Sequence, residues 1–269
     1  MSFLSQGVAV VTGAGSGIGR ALVQQLAAAG SALAIADIDE KGLTETAASL
    51  TNKQAAVSTH VLDVSSEEGV RGFAEDVAAR HGRVTLLINN AGVALIGTFE
   101  EISLDDLRWV MGINFWGVVY GVKYFLPVLK QQPRAQIVNL SSVFGIIAPI
   151  GQSAYSASKF AVRGFTEAIR HELEGTSVSV SCVHPGGIRT PIAKRARLGA
   201  NAPKNKQEEA AARFERLTPT TPEAAAARIL KGVERREPRI LIGRDARQID
   251  IVQRLRPATY WKMMAKRAS

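Results

Sequence analysis

Apolar and polar positions follow two rhythms along the chain. Short, nearly continuous apolar runs occur at Val8 to Thr12, Ala32 to Ala36, Ala55 to Leu62, Leu86 to Asn89, Gln136 to Leu140, Val178 to Val183 and Arg239 to Ile242. Between them lie longer segments in which apolar residues recur at helical spacing, among them Arg20 to Ala29, Asp105 to Leu129 and Ser153 to Leu173. Continuous apolar runs mark strands buried on both faces, and each is followed by enough residues for a crossover helix. The pattern predicts an α/β fold: a doubly wound, seven-stranded parallel sheet with helices on both faces, binding its ligands beyond the carboxyl ends of the strands. Neither a solenoid-like repeat nor a Pro/Gly/Ser-rich linker divides the chain.

Two stretches depart from this rhythm. From about residue 190 to 222 the sequence is polar, charged and Ala-rich, ahead of a helix started by Pro222 and Glu223. It reads as a mobile lid with a helix or two beside the binding crevice, with a plain surface insertion as the alternative. From about residue 243 to 269 a basic extension carries Trp261, Met263 and Met264 among Arg and Lys. Packing at the subunit interface of a homodimer or homotetramer is the preferred reading, and peripheral contact with an anionic membrane surface is the other.

With 269 residues, 46% of them apolar, the chain can bury most of its surface as one domain spanning residues 1–269. The absence of a signal-like start and of a long uninterrupted apolar run points to the cytoplasm. The lone Cys182 cannot form an internal disulfide or a thiolate cluster, and no metal site is expected. The formal charge of +9 is concentrated from Arg228 onward, with 12 Lys and Arg against 4 Asp and Glu. It comes without interleaved aromatic platforms, so no nucleic-acid partner is expected.

The first apolar run leads into Thr12-Gly13-Ala14-Gly15-Ser16-Gly17-Ile18-Gly19 and then a helical stretch. Glycines there allow a tight turn and let the backbone approach a pyrophosphate at the helix N-terminus. Asp37 ends the second run, where a carboxylate can accept two ribose hydroxyls and repel a 2′-phosphate. With no Arg or Lys at Ser16, and with Asp39 and Glu40 following, NAD is favoured over NADP. Asp63-Val64 and Asn89-Asn90-Ala91-Gly92 end the next two runs at the same rim; turn-forming roles remain open for both Asp37 and the Asn-Gly stretch.

Tyr155 and Lys159 are one helical turn apart, so phenol and ammonium share a face. The spacing alone also fits a solvated helix face. Ser142 follows the fifth run and brings a hydroxyl to the same edge, where it can bond a substrate oxygen. Asn114 is a poor helix former inside a helical run, which signals a backbone irregularity or a bound water, or else an exposed position. His184, before Pro185-Gly186, reads as filling a strand-to-loop junction rather than as an acid or base.

Thr12 to Gly19, Asn89 to Gly92, Asn114, Ser142, Tyr155 with Lys159, and Pro185-Gly186 with Thr190 together resemble, in the correct order, the motif series of the short-chain dehydrogenase/reductase family, single-domain branch. The resemblance covers roughly Gly7 to Ile242 and implies a Rossmann-type sheet and hydride exchange between a nicotinamide cofactor and a small-molecule alcohol or ketone. It implies Tyr155 as acid/base, Lys159 on the nicotinamide ribose and lowering the Tyr155 pKa, Ser142 orienting the carbonyl, and Asn114 supporting a water-mediated proton relay. Thr12, Gly13, Ser16, Gly17, Ile18 and Gly19 would bind pyrophosphate, Asp37 the adenosine ribose, and Asp63 and Val64 the adenine. Asn90, with Ala91 and Gly92, would border the sugar region, and Pro185, Gly186, Ile188 and Thr190 the nicotinamide end. Val93, Leu95, Val143, Phe144, Ile150 and Ile192 make the expected substrate wall apolar, suited to a steroid, lipid or aromatic carbonyl. A non-catalytic nicotinamide-binding regulator on the same fold is the alternative.

Overall fold

A computed structural model describes residues 3–5, 7–52, 55–216 and 218–262; Met263 and Met264 lie outside the described residues. The strands are β1 (Val8–Thr12), β2 (Ala32–Asp37), β3 (Val57–Val61), β4 (Leu86–Asn89), β5 (Leu95–Ile96), β6 (Ala135–Leu140), β7 (Val178–Pro185), β8 (Arg197–Leu198) and β9 (Arg239–Ile242). The helices are α1 (Gly17–Ala29), α2 (Glu40–Ala48), α3 (Glu67–His81), α4 (Leu104–Met111), α5 (Gly117–Lys130), α6 (Ser153–Glu172), α7 (Asn205–Arg216), α8 (Pro222–Glu234) and α9 (Arg244–Leu255).

Seven strands form one parallel sheet in the order β3-β2-β1-β4-β6-β7-β9. The chain winds outward from β1 in one direction and then, from β4, in the other, so the crevice opens beyond the ends of β1 and β4. Every residue of β1, β4 and β6 is buried, the buried polar Asn89 and Asn139 bonding each other across β4 and β6. One face packs Leu22, Leu26, Ile229 and Val233 of α1 and α8 against Val11, Ile35 and Ile240. The other packs Phe73, Val77, Val122, Phe125 and Ile169 of α3, α5 and α6 against Val10, Leu87 and Ile137.

The helical run at 105–129 is two helices, not one. A capping box of Ser103 and Asp106 starts α4, and a π-helical turn, Gly112–Trp116, separates it from α5. This is the backbone irregularity that Asn114 signals.

The 190–222 segment contains α7 and β8, and β8 pairs with β5 in a separate two-stranded sheet. Strands of two residues carry no readable alternation, so the sequence pattern did not reveal them. The segment is tied down: the Arg197 guanidinium lies 3.7 Å from the Trp109 ring centroid, and Lys206 pairs with Glu101. Thr221 caps α8 through the Ala224 N–H, with Pro222 in its first turn. No described helix is long and apolar enough to cross a membrane.

Candidate active site

The turn after β1 is braced from β4. Asn90 Nδ2 donates to the carbonyls of Thr12 and Gly13 at 2.9 and 3.0 Å, and Thr12 Oγ1 accepts the N–H groups of Asn90 and Ala91, each at 3.1 Å. The Asn90 amide therefore braces the glycine-rich turn from β4. A Cβ on Gly19 would sit 1.9 Å from the Gly13 carbonyl oxygen, so only glycine lets the helix start this close to the turn. Ser16, the N-cap of α1, makes no side-chain cap bond, so it leaves the first N–H groups of the helix to an outside anion.

Asp37 closes this subsite. Its Oδ2 accepts the Gly15 N–H at 2.7 Å and its Oδ1 the Asp39 N–H at 2.9 Å, which fixes the carboxylate while each oxygen keeps a lone pair for a hydroxyl. Beside it lies a cavity of about 400 Å³ lined by Gly15, Ser16, Gly17, Arg20, Asp39 and Arg195. Sequence reasoning missed Arg20, whose guanidinium reaches the Gly15 carbonyl at 2.6 Å, Thr46 Oγ1 at 2.9 Å and Glu45 at 3.0 Å. The signal was present as a cation directly after Gly19. Arg195, 3.5 Å from Asp39, brings the 190–222 segment over the same cavity.

Asp63 is exposed at the rim, held by the Ser65 N–H and hydroxyl at 2.9 and 2.7 Å, and Val64 is buried behind it. These features fit a dinucleotide: free helical N–H groups and bare glycines for phosphates, an oriented carboxylate for ribose hydroxyls, and a cavity between them. Ile18 packs partly against the core, and Ile188 is buried in it. The Ile188 side chain is thus spent on the core, which leaves its backbone at the nicotinamide end.

The second half of the site is built by α6, the end of β6 and the π turn. Tyr155 and Lys159 share the cleft face of α6, with Lys159 Nζ 5.8 Å from the Tyr155 ring centroid. The Lys159 ammonium donates to the Leu140 carbonyl at 3.0 Å, and the Ser141 hydroxyl donates to the Lys159 carbonyl at 2.8 Å. The Ser142 hydroxyl accepts the Phe144 N–H at 3.1 Å and lies near enough to the Tyr155 hydroxyl to favour its phenolate. Asn114 is fully buried: its Oδ1 accepts the Val93 N–H at 2.8 Å, and its Nδ2 donates to the Val93 carbonyl and to Ser158 Oγ, each at 3.0 Å. Ser158 in turn donates to the Tyr155 carbonyl at 2.7 Å, a link that the sequence did not single out. Gly92 completes the junction, since a Cβ there would lie 3.1 Å from Asn114 Oδ1 and 3.3 Å from Lys159 Nζ.

Burial pulls the Lys159 ammonium down to about 8, and burial pushes the Tyr155 phenol up to about 12, with the Ser142 hydrogen bond offsetting part of that rise. In the protein without cofactor, desolvation of the Tyr155 phenol dominates, and the Lys159 ammonium donates to the Leu140 carbonyl. His184 is buried, its Nδ1 lies 3.0 Å from the Ser142 carbonyl, and burial lowers it to about 4. It fills the junction as a neutral ring.

The apolar wall is partly as expected. Val93 and Tyr155 pack against a cluster of Leu95, Ile102, Val110 and Ala154, and the Phe144 ring meets Tyr155 edge-on at 6.0 Å. Val143 is buried and Ile192 half-buried, but Ile150 is 92% exposed.

The sequence signature of the short chain dehydrogenases matches residues 7–201. The chain belongs to this family. SadH of Mycobacterium tuberculosis, provisionally named an oxidoreductase, is 42% identical over 268 residues, spanning 98% of this chain and 96% of its own. A short chain dehydrogenase/reductase of Burkholderia phymatum, solved in complex with NAD, superposes with a TM-score of 0.86 at 34% identity, covering 96% of this chain and 95% of that one. An alcohol dehydrogenase of Thermococcus sibiricus complexed with 5-hydroxy-NADP gives 0.73 at 26% identity, covering 88% and 95%. The family match and the NAD- and NADP-type ligands of these solved neighbours support an oxidoreductase with a nicotinamide cofactor.

Proposed function

We propose that this short chain dehydrogenase interconverts an alcohol and a ketone, using NAD in preference to NADP, on a bulky apolar substrate. The observation that carries the reading is the meeting of Tyr155 and Lys159 of α6 with Ser142 after β6 at the carboxyl edge of the sheet, opposite the glycine-rich turn. A bound nicotinamide supplies hydride exchange with the carbinol carbon.

The side chains of the chain handle the oxygen and its proton. In reduction Tyr155 donates its hydroxyl proton to the ketone oxygen, and in oxidation its phenolate takes the alcohol proton. Ser142, beside Tyr155, orients that oxygen. Lys159 keeps a positive charge against Leu140 and the cofactor sugar, and Asn114 holds the π turn and, through Ser158, the first turn of α6. A protein that only sensed nicotinamide would have no use for this trio, so the regulatory alternative is not favoured. Asp37 supports NAD, because a 2′-phosphate would meet its fixed carboxylate. Val93, Phe144 and the cluster beneath them support an apolar substrate. The exposed Trp116, stacked on Tyr120 with ring centroids 5.7 Å apart, supports a homo-oligomer.

The test mixes wild type and Tyr155→Phe with NAD or NADP and with apolar or polyol alcohols, following nicotinamide absorbance. Turnover confined to apolar alcohols, faster with NAD and lost in the variant, supports the reading. Equal turnover by the variant removes it.

A further inference from the structure

The C-terminal extension reaches two walls of its own cleft. From the first turn of α9, Asp245 Oδ2 accepts the Gly187 N–H at 2.7 Å, directly after the Pro185-Gly186 turn at the nicotinamide end. A Cβ on Gly186 would lie 2.1 Å from that carboxylate, and one on Gly243 would lie 2.2 Å from Asp245 Oδ1. The carboxylate thus fills the space that both glycines leave. Its Oδ1 is buried with no hydrogen-bond partner among the described residues, a cost that a merely decorative acid would not carry. The same turn is held by the Ile242 carbonyl, which accepts the Gly186 N–H at 3.0 Å, and by the Ile188–Thr220 bridge. Beyond α9, the Tyr260 hydroxyl accepts the Ala148 N–H at 2.9 Å. Ala148 belongs to the 143–150 wall, whose Phe144 touches Tyr155.

We propose that α9 and the segment to Lys262 act in cis as a buttress of the cleft: Asp245 is a positioning residue for the nicotinamide-end turn, and Tyr260 sets the size of alcohol or ketone admitted beside the 143–150 wall. The Tyr260 half rests on the oxidoreductase reading above. The Asp245 half requires only that a nicotinamide dinucleotide binds.

The experiment titrates NAD into the full-length protein by calorimetry for wild type, Asp245→Ala, Asp245→Asn and Tyr260→Ala, with melting curves to check folding. It then compares KM and kcat for a short and a bulky secondary alcohol. Losing a charge-assisted bond at Gly187 weakens NAD binding by about tenfold in Asp245→Ala, whereas Asp245→Asn, whose amide oxygen still accepts, stays within about threefold of wild type. Tyr260→Ala leaves NAD binding unchanged and shifts the KM ratio of bulky to short alcohol by about fivefold or more. Wild-type NAD affinity in Asp245→Ala, or equal losses in both Asp245 variants, overturns the positioning role; an unmoved KM ratio overturns the role of Tyr260. A wild type that binds NAD yet oxidises neither alcohol defeats the reaction reading and the Tyr260 half together, leaving the Asp245 result to stand alone.

Discussion

The Lys159 ammonium donates to the Leu140 carbonyl, the last residue of β6, at 3.0 Å, and lies 5.8 Å from the Tyr155 ring centroid. The cation is therefore fixed by the strand end and not by the phenol. Tyr155, pushed up to about 12 by burial, keeps its proton in the protein alone. A positive nicotinamide ring nearby favours the phenolate and must lower that value. The ultraviolet phenolate signal of wild type minus Tyr155→Phe is expected to rise only toward pH 12 without cofactor and at lower pH with NAD bound. A signal indifferent to NAD would place the phenol away from the ring. The Tyr155→Phe variant should keep its NAD affinity while losing about 10²- to 10⁴-fold in kcat.

His184 makes stability depend on acid. Burial lowers it to about 4 from an ordinary 6.5, so between those values the unfolded chain binds a proton that the folded chain refuses. Its contribution is fully present above pH 6.5 and is lost as pH falls toward 4. Carried through the whole window, it amounts to about 3 kcal/mol as an upper bound. Burial also lowers His60 and His81, which act with the same sign. Urea denaturation from pH 7 to pH 4 should show falling stability in wild type and a shallower fall in His184→Asn. Parallel slopes would mean that the imidazole is not buried neutral.

All seven apolar runs became the strands of the sheet, because burial on both faces writes itself directly into consecutive residues. The chemistry at strand ends was legible for the same reason: Asp37, Asn90, Ser142 and Pro185 stand where runs stop. What escaped was partnership across the chain. Asn90 reaches back 78 residues to Thr12, and Asp245 reaches 58 to Gly187; no local period encodes either. The motif likewise names the cation beside Tyr155 but not the Leu140 carbonyl that engages that cation.

Glycines separate into those that a neighbour demands and those that none does. A Cβ on Gly19 would fall 1.9 Å from the Gly13 carbonyl oxygen and 2.6 Å from Asn90 Nδ2, while one on Gly164, inside α6, meets nothing within 4 Å. Gly19→Ala must push α1 away from the turn and break the Asn90 brace, with an expected loss of about 2–4 kcal/mol and of NAD binding. Gly164→Ala removes only backbone freedom and should stabilise by about 0.5–1 kcal/mol. Melting curves of the two variants decide the matter, and a Gly19→Ala protein as stable as wild type would refute the close approach.

Cofactor choice turns on Asp37. Its two oxygens already accept the Gly15 and Asp39 N–H groups, so the carboxylate cannot swing aside for a 2′-phosphate. Two unit charges at about 4 Å repel by about 4 kcal/mol at an effective dielectric of about 20, an upper range for this partly exposed site. Asp37→Ser removes the repulsion while Arg20 and Arg195 remain beside the cavity as cations for a phosphate. Because serine also replaces two backbone bonds with at most one, affinity for NAD should fall as that for NADP rises. The readout is therefore the ratio of the two dissociation constants, expected to move toward NADP by at least about tenfold. A ratio that stays put while both affinities drop would show that Asp37 shapes the turn and does not select the cofactor.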